Sequence, residues 1–211
     1  MDLKPSGTGN GWRLIVRAMN RARLAILSVA GVNAAGVLIG ALMAHSGNEF
    51  ALSYGDRLVA KAQKQDRAAI SYRQGHRFTA AAQDFAMNLV AGAVPQTVTG
   101  LTVVSPYGFG AYRGWVGGIV SVDRNHLSRL RDWRKGAYYV ITLVLQLVPY
   151  SLAGGIGVHL GLCFFKRFSY YTGDKIGGYP KEAIWDVVRV YQVIIPLFFI
   201  ASLWEFLCPW N

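Results

Sequence analysis

The chain has 211 residues, 53% hydrophobic and only 16% charged, where a soluble globular domain carries about 25% charged residues. Together with a mean hydropathy of +0.27, this argues against an ordinary water-soluble enzyme and for a membrane-embedded chain. The charge that remains is lopsided, with 22 Lys and Arg against 11 Asp and Glu and a net charge of +11. Nucleic acid, anionic lipid headgroups and membrane topology are the candidate explanations.

No stretch reads as an interdomain linker, so the chain divides into a basic segment over residues 1–23 and a single helical domain over 24–211. The opening MDLKPSGTGN is the one flexible-looking piece. The run Leu24–Ala44 has 21 residues without a charge, about 31 Å of helix, and crosses the hydrocarbon core. It follows Arg13, Arg17, Arg21 and Arg23 and is too long for a secretory signal core, so it reads as a retained signal anchor. Residues 46–77 are polar with apolar positions at Leu58, Ala62, Ala69 and Ile70. They are read either as one amphipathic interfacial helix or as a solvated hairpin between spans.

A second crossing is expected over 78–104, kinked or broken at Pro95, whose ring removes a backbone donor. The piece 107–122 has 16 residues and contains Arg113; at about 24 Å of helix it is either a short span or a re-entrant element. Residues 136–165 form the fourth span and 187–207 the fifth, separated by a turn-rich loop with several glycines and Pro180. The expected fold class is therefore all-α: a polytopic transmembrane helical bundle of about five spans with an amphipathic interfacial helix. Basic residues flank every span, five up to Arg23, six from Arg57 to Arg77, five from Arg124 to Lys135 and four from Lys166 to Lys181. They divide almost evenly between the two sides, so orientation rests on the first helix, which places the N-terminus in the cytoplasm. Spread over four membrane boundaries, the excess suits anionic headgroups and no nucleic acid.

Three small-residue stripes at helical spacing stand out: Gly36 and Gly40; Gly110, Gly114 and Gly118; Ala153, Gly157 and Gly161. Each permits close backbone approach, either within one bundle or at a homo-oligomer or partner interface. Intramembrane polar candidates are Asn33, Asn88, Gln146, His159 and Glu205, beside Asp84, Gln96 and Arg113; such groups face protein or water. Asn33 and Asn88 suit interhelical hydrogen bonding, and Glu205, flanked by aromatics, either reaches the interface or pairs with Arg113 or another basic side chain. Cys163 and Cys208 read as buried small hydrophobes. No Walker loop, HExxH, CxxC or GxSxG occurs, so no enzyme, metal or cofactor is expected. Lipid or wall-precursor chemistry would need a polar cluster at one membrane face, for instance His126 near Asp123 and Arg131, which reads equally well as a solvated loop.

Three stretches resemble the stage II sporulation protein M family of multi-pass membrane proteins. The ending IPLFFIASLWEFLCPW is similar to the family's apolar run, glutamate, aromatic and proline, which places the family's glutamate on Glu205. SLAGGIGVHLG resembles its Ala-Gly and Gly-x-x-Leu-Gly signature at Ala153, Gly154, Gly157, Leu160 and Gly161, and FAMNLVAGAVPQTVTG its Asn-containing helix at Asn88 and Gly100. The family's Pro-His-Gly and following Glu are missing: Ile141, Thr142 and Leu143 stand there, with Gln146 at the glutamate position, and the nearest Pro-x-Gly, Pro106 to Gly108, is on another segment. The resemblance implies a cell-membrane scaffold or assembly subunit that organises partner proteins, without catalysis of its own and without an inherited sporulation role. The alternative is a transport component, a permease or channel-like subunit. Its spans, broken at Pro95, Pro149 and Pro196, would line a path with Asn88, Gln146 and Glu205.

Overall fold

The computed structural model describes residues 11–208, which are helical apart from short loops and a two-residue β-hairpin. Residues 1–10, expected to be flexible, and Pro209 and Trp210 of the family-like ending lie outside the described residues. Helix α1 (Gly11–His45) starts well before the apolar run and takes in all four basic residues from Arg13 to Arg23. It buries Ala18, Ala22, Ala25, Val29, Asn33, Gly36 and Gly40 at intervals of three and four residues. Leu24, Leu27, Leu38 and Leu42 point outward, the two-faced pattern of a helix against protein on one side and lipid on the other.

The polar segment forms two helices, α2 (Glu49–Gln65) and α3 (Arg67–Arg73), in place of the single amphipathic one. Asp66 makes the break: its carboxylate accepts the Ala68 N–H at 2.8 Å. The side chain caps a new helix there instead of letting the old one continue. Phe50 and Tyr54 of α2 pack on Trp115, which ties this segment to α6 (Ser105–Ile119).

Residues 77–102 run as α4 (Arg77–Ala86), a π-helical turn over Met87–Ala93, α5 (Val94–Thr99) and a 3-10 turn over Gly100–Thr102. Pro95 sits in the first turn of α5, where its missing N–H costs least, and the turn before it widens. Val103, at φ 67°, reverses the chain into α6. A β-branched residue there is rare and marks a tight reversal. The two arms form a broken hairpin: α6 lies along α1, while residues 87–102 of the other arm lie along α7 (Trp133–Phe165) and α4 packs on the last helix. The hairpin tip reaches the level of Gly161, since a Cβ added there would come within 2.6 Å of the Gly100 carbonyl oxygen.

Helix α7 is capped by Asp132, which accepts from the Arg134 N–H at 2.8 Å. After the hairpin β1 (Lys175–Ile176) and β2 (Tyr179–Pro180), α8 (Lys181–Leu207) returns, starting six residues earlier than the apolar run at Val187. Helices α1, α7 and α8 are long and apolar enough to cross a membrane. Their common core joins Ala18 and Ala22 of α1, Tyr150, Ala153 and Ile156 of α7, and Val190, Ile194 and Phe198 of α8.

Candidate functional site

The glycine stripes lie inside the molecule. A Cβ on Gly36 would sit 2.6 Å from the Ala111 carbonyl oxygen, while Gly40, Gly114 and Gly118 admit the opposite backbone of the α1–α6 pair at still closer range. Gly157 meets the Thr97 backbone and Gly161 the Gly100 backbone, while Gly110 faces the side chain of Asn33. These residues therefore pack α1 on α6 and α7 on the broken arm. No face of the three stripes is left for a partner to enter without displacing the chain itself.

The polar candidates separate into two clusters and a few single bridges. Asn33 donates to Ser151 Oγ at 2.8 Å, joining α1 to α7, and Gln96 donates to the Tyr150 carbonyl at 3.3 Å. Cys163 is buried beside His159, whereas Cys208 is only half-buried.

The first cluster lies where the start of α1, the start of α8 and the end of α7 converge. Asp186, with its side chain fully buried, accepts from Arg21 at 3.0 Å and from Arg189 at 2.8 Å. Glu182 pairs with the same two arginines. Tyr171 donates to Asp186 at 2.8 Å, and its hydroxyl lies 3.0 Å from His159 Nε2. Burial, and then Asp186, push the Tyr171 phenol above its ordinary range, so it stays a donor. Buried carboxylates survive when every lone pair is matched in this way. His159 is buried in this node, against Tyr171 and Cys163. The node escaped notice because Glu182 and Asp186 precede the apolar run, although Glu182, Asp186 and Arg189 recur at one-turn spacing on a single helix face.

The second cluster lines a cavity of about 480 Å³ between α4, α6, α7 and α8. Asp84 accepts from Ser202 at 2.7 Å and from Asn88 at 2.9 Å. Tyr150 donates to Asn88 at 2.6 Å. Gln146 donates to Glu205 at 3.0 Å, so the α7 carboxamide holds the carboxyl group of α8. Glu205 pairs with Gln146 and not with Arg113. The Arg113 guanidinium lies 3.5 Å from the Tyr150 ring centroid, a cation–π contact. Arg129 enters from the 121–132 loop, its Nε donating to the Val120 and Val122 carbonyls at 3.0 and 3.2 Å. Among the described residues, none of Asp84, Glu205, Arg113 and Arg129 has an oppositely charged side chain within ion-pair distance. The cavity therefore holds two carboxylates and two guanidiniums, all hydrogen-bonded or stacked, none neutralised by contact.

The residues weighed around His126 find separate partners. His126 Nε2 lies 3.1 Å from Asp56 Oδ2, while Asp123 is occupied by the backbone N–H groups of Asn125 and Leu127 at 2.9 and 3.0 Å. The Leu127 bond leads in holding that carboxylate below its ordinary range. It closes a loop and does not face the imidazole. Comparison with known proteins found no matching family model, no matching curated protein and no matching solved structure.

Proposed function

We propose that this chain is a membrane-embedded binding and transport component that takes a small polar solute into the cavity between α4, α6, α7 and α8. The observation that carries the proposal is the pair Asp84 and Glu205, brought from separate helices into the lining of one cavity and, among the described residues, left without an ion-pair partner. Ionisable groups placed among apolar helices are costly and mark solute or ion sites when they line open volume. The π-helical turn carrying Asn88 supports the same role, because such irregularities expose backbone where a cavity needs it.

In the bilayer α1, α7 and α8 each cross, and the broken arm 77–102 and α6 supply two further, shorter crossings. This makes five passes in a cell membrane, with the basic start of α1 on the cytoplasmic side. Lys61, Lys64 and Arg67 along α2 and α3 then lie at headgroup level on the opposite side. A scaffold or assembly role, which the resemblance to stage II sporulation protein M implies, is the second reading, and the glycine stripes, packed inside the molecule, lend it no support.

The test is solute retention by proteoliposomes offered potassium, choline, inorganic phosphate, glucose and O-phosphorylethanolamine together, read by mass spectrometry. At least one solute should accumulate above protein-free liposomes, and Glu205→Gln should abolish the excess. No accumulation of any of the five by the wild-type chain would remove the transport role.

A further inference from the structure

Two walls of the cavity carry opposite charge, and they do not touch. Asp84 and Glu205 stand on the side formed by α4 and α8, with Gln146 of α7 bonded to Glu205. Arg113 and Arg129 stand on the side formed by α6 and the loop that follows it. Each charge is held back by its own anchor. Ser202 and Asn88 hold Asp84, the Tyr150 ring holds Arg113, and two carbonyls hold the Nε of Arg129, leaving its terminal amino groups free to point elsewhere.

Such separation is unusual where the dielectric is low, because opposite charges there gain most by direct contact. The same chain shows the alternative at Asp186, where arginines close to within 3.0 Å. A cation alone in the cavity would satisfy the carboxylates and leave two guanidiniums unmatched. An anion alone would do the reverse. A solute carrying both charges satisfies both walls and adds no net charge to the membrane interior.

We infer that the cavity binds a small zwitterion, its ammonium toward Asp84 and Glu205 and its phosphate or carboxylate toward Arg113 and Arg129. A volume of about 480 Å³ suits a molecule of that size, toward the lower part of the range for small-molecule sites. Guanidinium forks match phosphate and carboxylate oxygens alike. A free zwitterion and a zwitterionic lipid headgroup therefore present the same chemistry. The inference rests on the solute-binding role proposed above, but its test reads binding and not flux.

The experiment measures binding of O-phosphorylethanolamine to the full chain in detergent by microscale thermophoresis, beside ethanolamine and inorganic phosphate as single-charge probes. The zwitterion should bind at least about tenfold more tightly than either fragment. Glu205→Gln and Arg113→Gln should each weaken it by about tenfold or more, with Arg113→Lys recovering part of the loss. Should Arg113→Gln fail to fold, Arg129→Gln at the loop edge carries the same expectation. Either fragment binding as tightly as the zwitterion, or arginine variants that bind it like the wild type, would overturn the assignment. Competition by nanodiscs containing phosphatidylethanolamine, but not by phosphatidylcholine nanodiscs, supports a lipid source, and lack of competition with retained binding supports a soluble one. Zwitterion binding without uptake would remove transport and leave this site standing, and uptake of only potassium or glucose would do the opposite.

Discussion

The node around Asp186 and the cavity around Glu205 are built from the same residue types and behave differently. At the node, Arg21 and Arg189 grip Asp186 and Glu182 directly, and Tyr171 and His159 fill what remains. In the cavity, carboxylates and guanidiniums are held apart by neutral partners across open volume. Opposite charges in contact act as a clamp between helices. Charges kept apart by Gln146, Asn88 and Tyr150 form the receptacle we propose.

The harshest way to break the comparison is to remove the frame both clusters share. Gly157→Leu forces a side chain into the Thr97 backbone, and the expected result is loss of folded, monodisperse protein on size exclusion, a structural effect that no partner complex is needed to explain. Next in size is Asp186→Asn, which strips a fully buried carboxylate from two arginines. Breaking such a site costs about 3–5 kcal/mol, roughly 10 °C in the melting temperature of a chain this long. The midpoint of thermal unfolding in detergent checks it.

Glu205→Gln should do the opposite: a melting temperature near that of the wild type, because no ion pair is lost, with solute binding and uptake gone. A fall as large as that of Asp186→Asn would make the cavity a second clamp. The smallest effect is expected at Asn33→Ala, which removes the α1–α7 bridge to Ser151 and should cost about 1 kcal/mol. Chemical denaturation at matched detergent concentration is the measurement.

The apolar runs made α1, α7 and α8 legible in the sequence, because length and composition alone carry that signal. Pro95 likewise announced the break in the second arm, although not the π-helical form it takes. Asp66 was legible only as a charge, and its capping of α3 depends on local geometry that periodicity does not encode. Asn88, Gln146 and Glu205 stood out one by one as polar groups in apolar runs. The transport reading grouped them along one path, but which of them touch was not legible, because Gln146 and Glu205 are 59 residues apart and no spacing rule links residues on different helices. Arg129 and Ser202 carried no signal at all: one sits in an ordinary basic loop, the other is a common small residue in a helix.

The most direct test of receptacle against clamp uses thiol access in one molecule. With Cys208→Ser as background, a Thr142→Cys variant places a cysteine in the cavity wall, while the native Cys163 lies buried beside His159 at the node. A charged, water-soluble methanethiosulfonate should label position 142 rapidly, and O-phosphorylethanolamine should slow that labelling, while Cys163 stays unreacted. Labelling of Cys163 at the rate of position 142, or no labelling at position 142, would contradict the account.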